Sequence, residues 1–217
     1  MRSLFFVACL CILGGCSSPP ADVTQERHSS TDPKSAIVDP SVVHPVTPDM
    51  KKTAFLQAGA TAPDFKLPDE NGNPQSLDNL AKGKPALLYF IQKDCPCCVS
   101  AEPFIEQIAK AYGDRVAVIG IANTIPEEAA KWKRLNTFPA PILSDPDLMI
   151  IQSYKIATAA YSVVVSKDRK IVEVFPGYSR TMVQAMSDVL ARQLGEKTGP
   201  QIDLTGAPDK PAAGCTF

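Results

Sequence analysis

The sequence predicts an α/β domain: a central mixed β-sheet flanked by helices. Three observations carry this. Continuous apolar runs rich in β-forming residues recur at 85–91, 116–122 and 161–166, as expected for strands covered on both faces. Segments with apolar residues at helical spacing separate them. An alternating run at 170–175 follows the third directly, so the series closes on a strand pair and a final helix.

Each element has its own local reason. After Cys98, apolar residues at Ala101, Phe104, Ile105, Ile108 and Tyr112 form a helical stripe. Residues 126–135 read as a second helix, with Pro126 at its first position and Glu127 and Glu128 in its first turn. A short helix is expected within 146–154. Lys167, Asp168 and Arg169 form the turn of a hairpin between the last two strands, although the favoured glycine is missing. Residues 179–194 give the last helix. Ser179 is its N-cap, Met182, Ala185, Met186, Val189 and Leu190 lie on one face, and Gly195 ends it. Trp132 and Tyr154 read as packing residues with a polar edge.

The ends of the chain differ in texture. Arg2, an apolar run over 4–13 and then small residues make the n-region, h-region and small-residue order of an export signal, which is too short for a permanent bilayer span. Leu13-Gly14-Gly15-Cys16 is similar to a bacterial lipobox. Residues 1–15 are then the signal peptide and Cys16 carries lipid, with Ser17 after it favouring the outer membrane in a host with two membranes. An ordinary secretory signal with Cys16 as a bystander is the competing reading. Residues 16–52 are rich in Ser, Pro, Asp and Thr without an apolar period, and read as a disordered linker. The folded domain is expected over 53–197, and 198–217 is a Pro/Gly-rich tail carrying Cys215.

Composition removes several function classes. Net charge is −1, with 22 basic and 23 acidic residues and no basic block, so nucleic-acid binding has no electrostatic support. The only histidines are His28 and His44, both early, which leaves the domain without a His-activated nucleophile or a mixed Cys/His metal site.

The chemistry sits in Cys95-Pro96-Cys97-Cys98. Three of seven cysteines fall within four positions, between a buried strand and a helix. Pro96 suits the first helical position. Cys95 is then placed at the positive end of the helix dipole, where its thiolate is stabilised. Cys98 lies one turn on, within reach of a disulfide. Attack by the Cys95 thiolate on a substrate disulfide gives a mixed disulfide, which Cys98 resolves. Clustered thiols acting merely as small hydrophobes are disfavoured in an exported chain.

The segment beginning at Ala62 resembles the thioredoxin superfamily, in particular its exported TlpA-like and redoxin (AhpC/TSA-related) branches. The likeness rests on Ala62-Pro63-Asp64-Phe65, Leu67, Asp69, Gly72, Leu77, Gly83-Lys84-Pro85, the C-P-x-C, and Pro103 inside the active-site helix. It covers residues 58–194. It implies a thioredoxin-like fold and a membrane-tethered thiol–disulfide oxidoreductase in the cell envelope, working on redox-active cysteines without a cofactor. Exported thiol or disulfide proteins and a membrane electron donor or acceptor are the implied partners. Cys97 and Cys215 are auxiliary or resolving thiols, Cys215 either as a free tail thiol or as a partner folding back to Cys95 or Cys97.

The chain departs from the family in three places. Alignment of the third core strand puts Ala160 where the family has a cis-proline. Asp94 replaces the usual aromatic before the first cysteine and is expected to oppose thiolate formation. Cys97 is extra. Two other functions compete. Thiolates of Cys95, Cys97 and Cys98, with Cys215, offer Cu(I) or Zn a soft site, yet no histidine follows His44. A peroxiredoxin needs Pro and Thr or Ser ahead of its cysteine. Here Leu88 and Gln92 precede Cys95, Ile91 and Cys95 precede Cys98, and Ala159 and Ala160 stand where an Arg is expected.

Overall fold

A computed structural model describes residues 44–217. At its centre lies a five-stranded sheet made of β4 (Ala86–Ile91), β5 (Ala117–Ala122), β6 (Ile142–Ser144), β7 (Ser162–Val165) and β8 (Ile171–Phe175), in the order β6-β5-β4-β7-β8. β4, β5 and β6 run parallel, whereas β7 and β8 join antiparallel, so the sheet is mixed as expected. The central strand β4 explains its own sequence. Leu87, Tyr89 and Ile91 enter the core on one face, and Leu88 and Phe90 the core on the other, so all must be apolar.

Helices α3 (Pro96–Tyr112), α4 (Pro126–Asn136) and α6 (Arg180–Gln193) pack on the first face, through Phe104, Ile108, Trp132, Met186 and Leu190. Tyr112 Oη donates to the Ser187 carbonyl and ties α3 to α6. The other face is covered by α1 (Pro48–Gln57), α2 (Leu77–Ala81) and α5 (Met149–Ser153) through Ala54, Leu77 and Ile151. The capping expected at Ser179 is present: its Oγ accepts from the Met182 amide at 3.2 Å. The turn between β7 and β8 forms without glycine because Arg169 itself takes a left-handed conformation, φ 59°.

The opening motif is a structural device. β2 (Leu67–Pro68) and β3 (Pro74–Gln75) form a small hairpin. The Asp69 carboxylate accepts from the amides of Asn71 and Asn73 and from Gln75 Nε2, while Gly72 turns the chain at φ 83°. Glu70 then locks the hairpin to the sheet edge, pairing with Lys133 and accepting from the Ile142 amide.

Order begins earlier than composition suggests. Residues 44–52, read as linker, contribute β1 (His44–Pro45) and the first half of α1. Thr47 caps α1 by accepting from Met50 N, and Pro48 sits at N1. The helix has little amphipathic period and is held instead by packing on β8, a tertiary cause that leaves no local signature. Cys16, the signal segment and the rest of the linker lie outside the described residues. Among the described residues, no helix is long and apolar enough to cross a membrane.

Candidate active site

The strand–helix junction presents the three clustered cysteines as free thiols with no solvent-accessible surface. Cys95 is the N-cap of α3 and Pro96 its first residue, as the spacing predicts. Cys98 lies one turn on, its amide donating to the Cys95 carbonyl at 3.0 Å. Pro103 lies inside the same helix.

The helix end does not hold the Cys95 sulfur in the way expected. Its side chain makes no capping hydrogen bond to α3 amides. The Cys97 and Cys98 thiols donate to it instead, together with the backbone amide of Cys215 at 3.2 Å and the Cys215 thiol. These donors hold the Cys95 thiol well below the ordinary range against the opposing effect of burial. The donors shift the other way. Cys97 is pushed up, first by its hydrogen bond to Cys95, and Cys98 is pushed up, first by burial. Cys215, partly buried, rises to about 11. One sulfur is therefore poised as a thiolate and three neighbours are kept as thiols. That is the asymmetry a nucleophile with a waiting resolver requires.

Asp94 does not oppose this. Its side chain is 81% exposed and pairs with Lys93 at 3.1 Å, so its charge is turned to solvent and screened. Around the cluster, Tyr89 Oη donates to the Cys98 carbonyl, and the Gln92 amide reaches Cys98 Sγ at 3.5 Å.

Ala160 lies beside the cysteines, and its amide also contributes to the setting of Cys98. Its backbone is left-handed, φ 60°, and its amide donates to the Phe90 carbonyl at 2.8 Å. The position is thus adjacent to the site, as aligned, but its conformation is one a proline cannot adopt.

The tail places Cys215 at the site rather than away from it. Residues 212–217 fold back across the site, with β9 (Ala212–Ala213) pairing antiparallel with β1. Cys215 is thereby brought to Cys95 rather than left free. His44, seen in the sequence only as part of a polar stretch, donates its backbone amide to Cys97 from β1. No sequence signal pointed to that contact. Among the described residues, no group of three His, Cys, Asp or Glu side chains is arranged to hold a metal ion.

The mixed five-stranded sheet, with a C-P-C-C at the start of the helix that follows the central strand, is that of a thioredoxin-superfamily redoxin domain. The chain belongs to the AhpC/TSA family, which it matches over residues 58–174, more than half of its length. It is 38% identical over 84 residues to the thioredoxin-like protein YneN of Bacillus subtilis, covering 39% of this chain and 49% of that one. The match thus spans about half of YneN. The thiol-disulfide oxidoreductase ResA of the same organism is 25% identical over 133 residues, covering 60% of this chain and 72% of ResA. In three dimensions, the peroxidoxin BcpB of Mycobacterium tuberculosis superposes with a TM-score of 0.55 at 24% identity, over 64% of this chain and 97% of that one. The family and its relatives thus include thiol-disulfide oxidoreductases and peroxiredoxin-like proteins.

Proposed function

We propose that this protein is a membrane-tethered thiol–disulfide oxidoreductase of the cell envelope. Cys95 is the nucleophile and Cys98 the resolver. The observation that carries the reading is the convergence of the Cys98 thiol and the Cys215 amide on the buried Cys95 sulfur, contacts that lower its pKa. Cys95 attacks a partner's disulfide. One partner sulfur leaves as a thiolate and takes a proton, and a mixed disulfide forms. Cys98, deprotonated in turn, attacks the Cys95 sulfur, and the second partner thiol is released. The partner gains two electrons and the enzyme becomes the Cys95–Cys98 disulfide. A membrane dithiol donor restores the enzyme; run in reverse with a membrane acceptor, the same steps oxidise partner thiols.

Exported proteins are the partners in this reading, and lipid on Cys16 supplies the tether, with the outer membrane facing the periplasm favoured in a host with two membranes. Similarity to ResA supports the reaction class. Cys97 acts as a donor to Cys95. No cofactor is needed for this chemistry.

A second reading has one specific observation in its favour. With the Cys215 amide 3.2 Å from Cys95 Sγ, the tail thiol is placed to resolve a sulfenic acid on Cys95, as in a thiol peroxidase. One experiment separates the two. The fully reduced protein is oxidised in parallel by hydrogen peroxide and by a small disulfide, and the bonds formed are mapped by mass spectrometry. Fast exchange with the disulfide, slow reaction with peroxide and a Cys95–Cys98 bond are expected. Fast peroxide reaction with a Cys95–Cys215 bond would replace the oxidoreductase reading by the peroxidase one.

A further inference from the structure

The tail is bound across the site by a strand-like ladder. Ala159 donates its amide to the Cys215 carbonyl at 2.8 Å and accepts from the Gly214 amide at 2.9 Å, so one residue is bridged on both sides by the tail. Thr158 and Thr216 continue the antiparallel pairing. Gln92 Nε2 donates to the Thr216 carbonyl at 2.9 Å. At the other end Tyr178 and Ala212 exchange both backbone hydrogen bonds, at 2.8 and 2.9 Å. The pairing puts Cys215 on Cys95 and leaves the nucleophile with no accessible surface.

Two glycines permit this approach. A Cβ on Gly214 would lie 2.7 Å from the Ala159 carbonyl carbon and oxygen. A Cβ on Gly177, whose φ is 105°, would lie 2.2 Å from the Ala212 oxygen. Any side chain at either place forces the tail away from its seat. Segment 212–217 is thus fitted to the site by backbone contact, by its cysteine and by the absence of side chains where the two backbones meet.

We propose that residues 212–217 are an internal mimic of the partner: a self-inhibiting strap that fills the place of an extended, cysteine-bearing polypeptide and must peel off before such a partner reaches Cys95. This rests on Cys95 being the nucleophile. The edge at Thr158 and Ala159 is the docking strand, and the strap competes for it by the same β-pairing an external segment would use. Backbone pairing is indifferent to sequence, so the gate discriminates by size and by the capacity to pair as a strand. Small reagents enter on brief openings, whereas a folded protein disulfide waits for full release.

The test is the rate of Cys95 alkylation, which requires no turnover. The reduced full-length protein is treated with iodoacetamide and, separately, with a polymer-linked maleimide, and modified peptides are identified by mass spectrometry. The wild type should react slowly at Cys95, and far more slowly with the polymer reagent. Gly214→Val should raise the Cys95 rate roughly tenfold or more, as when an opening equilibrium loses several backbone hydrogen bonds. Gly177→Ala loosens the other end of the strap and should act in the same direction, which guards against misfolding of a single variant. Equal Cys95 rates in the wild type and both folded variants would overturn the strap alone. Rapid reaction of wild-type Cys95 with the polymer reagent would do the same. Modification falling on another cysteine in every protein would overturn the nucleophile assignment, and this inference with it.

Discussion

Replacing Ala160 by proline restores the residue that the thioredoxin superfamily carries at the aligned position, and the structure predicts that it harms this protein. Ala160 sits at φ 60°, while a proline ring holds φ near −65°. Its amide donates to the Phe90 carbonyl at 2.8 Å, and the next rung, from the Phe90 amide to the Tyr161 carbonyl at 2.9 Å, depends on the same register. Proline deletes the first bond, leaves a buried carbonyl unpaired and forces the chain between Ala159 and Tyr161 to move. Pro in an incompatible, hydrogen-bonded position costs about 3 kcal/mol or more. For a domain of this size that lowers Tm by roughly 6 to 12 °C. The same shift moves the Ala159 edge, so the tail should loosen as well. Urea and thermal unfolding of reduced wild type and Ala160→Pro, followed by far-UV circular dichroism, provide the assay. An unchanged or raised midpoint would refute the left-handed geometry at 160, and the family's proline geometry would then be accessible here after all.

Three further outcomes follow from the site and its supports. Cys98→Ser should accumulate a mixed disulfide with a small disulfide substrate on non-reducing gels, whereas Cys95→Ser should form none; turnover surviving in Cys95→Ser would reverse the roles. Cys95 is held low by the Cys97 and Cys98 thiols, so its thiolate persists as pH falls. Its iodoacetamide rate should therefore plateau below the ordinary thiol pKa of about 8.5 and drop only at lower pH. Cys215, pushed up to about 11, should react only toward that pH. A Cys95 profile with its midpoint at the ordinary value would contradict the hydrogen-bonded thiolate. Finally, Tyr112→Phe strips the buried donor from the Ser187 carbonyl and should cost about 1 to 3 kcal/mol. A loss of that size on chemical denaturation, with Cys95 alkylation unchanged, would mark the contact as a structural tie between α3 and α6.

The strands β4, β5, β7 and β8, the helices α3, α4 and α6, and the position of Cys95 and Cys98 at the start of α3 were legible in the sequence. Their signals are local. The apolar run of β4, the stripe from Ala101 to Tyr112, Pro96 at N1 and the Ser179 cap act over four or five residues and survive any tertiary context that buries them. The three-residue strand β6 was too short to show a period, and α1 has no apolar stripe of its own, so neither was legible. The surroundings of Cys95 depend on contacts between distant segments. Asp94 could be neutralised only by being turned to solvent beside Lys93. Alanine gives no sign of a left-handed backbone, and Ala160 adopts one because the Phe90 carbonyl captures its amide. The donors on Cys95 include an amide 120 residues away along the chain. Backbone pairing of that kind depends on which segments meet in space, and neither Gly214 nor Gly177 announces its partner until both are folded against it.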